Sequence, residues 1–107
     1  MNLTDNHLFL EGQIVDALKT IYDPEIPVSI YEMGLIYEIR SDDEKNVFIT
    51  MTLTSPNCPV AETLPVEVRE KIALIEGVKA CYVNLVFEPE WTTDLMSDEA
   101  KLELGML

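Results

Sequence analysis

Basic residues are scarce in this chain: seven Lys and Arg stand against 20 Asp and Glu, a formal net charge of −13. With so few cations to neutralise phosphates, a nucleic-acid backbone would be repelled. An anionic membrane surface is disfavoured for the same reason. The acids are spread along the chain rather than gathered in a tail, which gives either a solvated surface or an acidic docking face for a basic partner. Histidine is limited to His7, near the N-terminus, so a Cys–His catalytic pair is not expected. Cysteine is limited to Cys58 and Cys81, with no CxxC pair. A closed structural zinc site normally needs about four Cys or His ligands, more than one such chain offers without carboxylates. No apolar run approaches the roughly 18 residues that cross a bilayer. The start, Met1–Asp5, lacks the basic region and apolar stretch of a secretory signal. A cytoplasmic location is therefore expected, where a Cys58–Cys81 disulfide is not. No phosphate loop, dinucleotide fingerprint or nucleophile–base pair is present, so an enzyme is not expected either.

What the sequence does contain is a full set of element signals. Its 107 residues, nearly half of them apolar, suit one domain over 1–107. Residues 1–7 are expected to be frayed. Leu10, Ile14, Leu18 and Ile21 recur at helical spacing until Asp23-Pro24, where proline ends the pattern. The stretch DPEIPVSIYEMG (Asp23–Gly34) reads as a stiff, extended loop. Leu35, Tyr37 and Ile39 then alternate, and after the polar SDDEKN, so do Val47, Ile49, Met51 and Leu53. Two such runs predict an antiparallel hairpin with odd-numbered residues buried in both strands. Val60, Leu64, Val68, Ile72 and Ile75 predict a second helix closed by Gly77. Pro65 inside that pattern predicts either a kink or a helix that starts near Pro65. Lys79–Phe87 predicts a third strand, with Cys81, Val83, Leu85 and Phe87 on one face. Residues 88–107 form a tail with a short helix capped by Ser97 and ended by Gly105. The order helix-strand-strand-helix-strand implies a two-layer α+β fold with a three-stranded mixed sheet, the second and third strands parallel. Such a sheet has two free edges, which favour pairing with a second chain.

The residues with chemical potential cluster around the loops. Cys58 lies between Pro56 and Pro59 in TLTSPNCPV (Thr52–Val60), where the second strand hands over to a helical segment. Pro59 suits a first helical position, which makes Cys58 a candidate N-cap whose thiolate a helix dipole would favour. The competing expectation is an inert small hydrophobe. Cys81, in phase with Val83, Leu85 and Phe87, is expected in the core. Thr52, Thr54 and Ser55 carry hydroxyls toward Cys58 and can hydrogen-bond a thiolate or sulfur ligand, or simply serve strand and cap. Asp23, Glu25 and Glu32 are candidate metal ligands or acid–base groups, or turn and solvent residues. Trp91 is expected either to anchor the tail over the sheet or to form part of a partner surface.

Three blocks together, DPEIPVSIYEMGLIYEI (Asp23–Ile39), TLTSPNCPVAE (Thr52–Glu62) and WTTDLMSDEAKLELG (Trp91–Gly105), resemble the SufT/PaaD-like family of iron–sulfur cluster assembly proteins. The resemblance covers most of the chain from about residue 10 onward. It implies the α+β fold of assembly scaffold domains and a part in cluster transfer or insertion. It also points to Cys58 as the reactive cysteine, to Asp23, Pro24 and Glu25 as the family's acidic turn, and to Thr52, Thr54 and Ser55 as the hydroxyl neighbours of that cysteine. A cluster usually takes about four protein ligands, mostly thiolates. One well-placed cysteine therefore implies a transient cluster shared with a partner or a second copy, rather than a permanent cofactor. Implied partners are assembly proteins and apo clients, with a homodimer as one arrangement. Two other expectations stay open: an adaptor that never ligates metal, and an accessory protein of a multicomponent oxygenase.

Overall fold

The structure is a computed structural model that describes residues 3–22, 27–54 and 63–106, with side chains described from Leu10 onward. Its elements are α1 (Leu3–Leu18), β1 (Ile36–Ser41), β2 (Asn46–Met51), α2 (Leu64–Ala73), β3 (Ala80–Leu85) and α3 (Asp98–Glu103), with a 3₁₀ turn at Thr93–Leu95. The sheet order is β1-β2-β3. β1 and β2 run antiparallel, and β2 and β3 run parallel. The two-layer α+β architecture is therefore as expected. α1 packs on β1 and α2, and α2 packs on β3, so both long helices cover one face.

β2 is the most thoroughly covered strand on its inner face: Val47, Ile49, Met51 and, just beyond it, Leu53 are all at most 3% exposed. Its alternation holds because it is paired on both sides and covered by helices. In α2, Leu64, Val68 and Ile72 are buried at four-residue spacing. From α1, Leu10, Ile14 and Leu18 complete the layer. The opposite face carries Phe48 and Tyr82 stacked with ring centroids 5.5 Å apart, and Arg40 over the Phe48 ring.

Four expectations need correction. Residues 3–7 belong to the α1 backbone rather than to a frayed end. α1 also stops at Leu18, well before Asp23-Pro24. Thr20 caps that stop: its hydroxyl donates to the Ala17 carbonyl at 2.6 Å. Ile21 still reaches the core, because its N–H and C=O tie the turn to Leu18 and Ile30. The odd-numbered rule holds in the β1 run at Leu35 and Ile39 but breaks at Tyr37. The register shifts between Ile36 and Glu38, so Ile36 pairs with Met51 while Glu38 pairs with Thr50. Tyr37 is the extra residue of this β-bulge, which turns Ile36 toward the core cluster. The Tyr37 hydroxyl donates to the Pro89 carbonyl at 2.7 Å, a contact across 52 residues that alternation cannot encode. Lastly, β3 ends at Leu85 and Phe87 is 40% exposed, because the chain has left the ladder before reaching it.

Pro65 neither kinks nor breaks α2. It sits in the first turn, whose N–H groups have no helical acceptor in any case. The hairpin turn is built by Asp42, whose carboxylate accepts from the Asn46 and Glu44 N–H groups, both at 2.9 Å, and from the Asn46 side chain at 3.1 Å. Those bonds, the Asn46 backbone one first, hold its carboxyl below the usual range. In the tail, Ser97 accepts from the Ala100 N–H at 3.1 Å and caps α3 as expected.

Two glycines test the packing in opposite directions. Gly34 has φ +79°, and a Cβ there would collide with the Leu95 carbonyl, meeting its carbon at 2.7 Å. Gly34→Ala should lower unfolding free energy by at least about 2 kcal/mol in urea titration. Gly12, mid-helix in α1, has nothing within 4 Å of the place a methyl group would take. Gly12→Ala should raise stability by about 0.5–1 kcal/mol.

Candidate site at the carboxyl end of the parallel strands

Parallel strands β2 and β3 end on the same side of the sheet, the side where ligands of α/β sheets usually gather. Three segments meet there, and hydrogen bonds fix each one. The Thr52 N–H donates to the Leu35 carbonyl at 2.8 Å, tying the exit of β2 to the entry of β1. The Val86 N–H donates to the Met51 carbonyl at 2.8 Å, tying the exit of β3 to β2. The Trp91 indole Nε1–H donates to the Met33 carbonyl at 2.8 Å, tying the tail to the loop before β1. From this junction the chain leaves at Thr54 toward Cys58.

The expected site residues divide into those this junction holds and those it does not. Asp23, Glu25, Ser55 and Cys58 lie outside the described residues. Thr52 is buried, 1% exposed, and its hydroxyl donates to the Leu53 carbonyl at 3.4 Å. Thr54 is exposed. Thr52, Thr54 and Trp91 line a single cleft of about 240 Å³ together with Phe87, Glu88 and Glu90. Glu32 lies elsewhere, in a groove with Lys19, Tyr22, Ser29, Glu99 and Glu103. Its carboxylate stands 3.9 Å from the Lys19 ammonium. Its backbone carbonyl accepts from the Ser97 N–H at 2.9 Å, so this residue also helps seat the tail. Among the described residues, no group of three His, Cys, Asp or Glu side chains is placed to hold a metal ion.

Phe87, Glu88 and Glu90 were not among the expected site residues. The signal for them was present in FEPEW (Phe87–Trp91), where two acids alternate with a proline between two aromatics. The fold supplied what was missing, by folding that run back against Thr52.

The two cysteines are unequal in a way the geometry makes definite. Cys81 lies in β3, pairs across to Val47 and is 5% exposed. Burial pushes its thiol up to about 11, only partly opposed by the charge of Arg69. The helix-dipole expectation for Cys58 does not hold for α2, because the N-cap of α2 is Thr63.

A two-layer α+β domain with a loop-bearing junction at its parallel strand ends is the class that this geometry defines. Within it, residues 11–85 match the family described as iron-sulfur cluster assembly protein, and the chain belongs to that family. It is 49% identical over 105 residues to an Fe-S protein maturation auxiliary factor of Porphyromonas gingivalis, covering 98% of this chain and 100% of that one. It is 38% identical over 86 residues to the Fe-S protein maturation auxiliary factor SufT of Staphylococcus aureus, covering 80% and 98% of the two chains. The crystal structure of a domain of unknown function from Bacillus anthracis superposes with a TM-score of 0.89 at 32% identity, over 97% of this chain and 99% of that one. The SufT-like resemblance of the sequence is thus correct.

Cys81 supplies two measurable consequences. In the native protein it should resist iodoacetamide at pH 8 and react only after unfolding, as peptide mass mapping would show. Its folded pKa lies above the ordinary 9.0, so the native state holds the proton more tightly. The associated stability is full below pH 9 and is lost as pH rises toward 11. Over that window wild type should lose up to about 1.4 kcal/mol per pH unit more than Cys81→Ala in urea titrations.

Proposed function

We propose that this protein assists the maturation of iron–sulfur proteins by passing a cluster, as cargo, between assembly proteins and apo clients. Cys58 is its metal- or sulfur-contacting thiol. The observation that carries this reading is the burial of Cys81 in the core. Of two cysteines, one is a neutral packing residue, which leaves Cys58 to do the thiol chemistry. In the sequence Cys58 follows closely on Thr54, and Thr52 and Thr54 line the cleft at the junction of the three fixed segments. The relatives named as Fe-S protein maturation auxiliary factors support the same role.

Ligand counting sets the mode of action. A cluster usually takes about four protein ligands, and one thiol per chain cannot hold it alone. The remaining ligands come from a partner, a small thiol or a second copy, so release is built into the binding. A chain of net charge −13 that never keeps its cargo suits a soluble intermediary, neither an enzyme nor a resident cluster protein. Asp23 and Glu25, which precede β1 in the sequence, are acidic residues assigned to the same role by the family resemblance.

Complementation of cells lacking this protein tests the assignment. Cys58→Ala should lower client-enzyme activity at least about tenfold relative to wild type, whereas Cys81→Ala should retain it. Anaerobic reconstitution with iron and sulfide should give visible absorption that transfers to an apo-acceptor and that Cys58→Ala lacks. Full rescue by Cys58→Ala, with unchanged capture of clients in pulldown, would replace the thiol role with that of a non-ligating adaptor.

A further inference from the structure

The geometry points to a recognition element: the Thr52–Trp91 cleft is a binding site for an arginine side chain of a partner protein. Its lining pairs two aromatic side chains, Phe87 and Trp91, with two exposed carboxylates, Glu88 and Glu90. A guanidinium is the group that uses all of these at once. Its flat face stacks on an aromatic ring, and its forked N–H groups reach carboxylates.

Three further facts favour a cationic guest over an apolar one. Neither Glu88 nor Glu90 has an ion-pair partner among the described residues. The cleft is held in shape without a guest, since the Pro89 carbonyl between the two acids accepts from the Tyr37 hydroxyl and the Trp91 indole is bound to the Met33 carbonyl. A preformed cleft spares the guest the cost of ordering it. The volume, about 240 Å³, admits one long side chain and excludes a folded segment. The net charge of −13 would also speed the encounter with a basic surface.

The pocket's use in partner recognition rests on the reading of Cys58 above, because Cys58 follows closely on Thr54 in the sequence. Its ability to bind arginine does not. The test is titration of ¹⁵N-labelled full-length protein with N-acetyl-arginine amide, against N-acetyl-citrulline amide, which has the same shape without the charge. The Trp91 indole N–H and the amides of Thr52, Thr54 and Phe87 should shift saturably, with a Kd on the order of millimolar. Glu88→Gln/Glu90→Gln, two exposed positions, should keep the wild-type Tm and weaken binding about five- to tenfold. Citrulline producing the same shifts, or undiminished arginine affinity in the double variant, would overturn the site. Cys58→Ala should bind arginine as wild type does. Full client maturation by Cys58→Ala with arginine binding intact would remove the thiol role and leave the pocket standing. Failed maturation by Cys58→Ala with no arginine binding in wild type would do the reverse.

Discussion

Four successive residues, Glu32 to Leu35, hold the functional end of this molecule together through their backbones. The Leu35 carbonyl receives the Thr52 N–H, the Met33 carbonyl receives the Trp91 indole, and the Glu32 carbonyl receives the Ser97 N–H. Gly34, at positive φ, lets the Leu95 backbone come closer than any side chain would permit. Met33 and Leu35 at the same time bury their own side chains in the core. A single short stretch thus anchors the start of β1, the end of β2 and the C-terminal tail. Buried backbone groups need partners, and here the partners come from two distant parts of the chain, the exit of β2 and the C-terminal tail.

The tail is therefore part of the site rather than an appendage. Tyr37 and Met33 bind it at Pro89 and Trp91, and Ser97 with Ala100 closes it down as α3. What results is a rigid platform at the parallel strand ends. The proposed transfer role would draw on such a platform, since a site works best when its neighbours are held in place. Cys81 shows the opposite environment a few residues away in the sheet register. It is packed against apolar neighbours, its thiol held neutral, and it behaves as core.

Much of the architecture was legible because local pattern and burial agree. β2 alternates cleanly, since it is flanked by two strands and covered by two helices. The position of Pro65 near a helix start followed from its missing N–H. Ser97 as a cap followed from its place before Asp98 and Glu99. The failures differ in kind. Ile21 reaches the core through a turn tied to Leu18 and Ile30 rather than through a helix, and Phe87 lies beyond the end of the ladder at Leu85. The Tyr37 hydroxyl meets the Pro89 carbonyl across 52 residues, a contact that spacing rules do not contain.

By itself the sequence determined the element order, the mixed three-stranded sheet, the core role of Cys81, the acidic surface and the family to which the chain belongs. Periodicity, proline chemistry and charge are properties of neighbouring residues, so a sequence carries them openly. Only the tertiary structure decided that Thr52, Phe87 and Trp91 share one cleft and that Glu32 does not belong to it. Those outcomes depend on which carbonyls remain unpaired when the sheet closes and on which distant donor arrives to meet them.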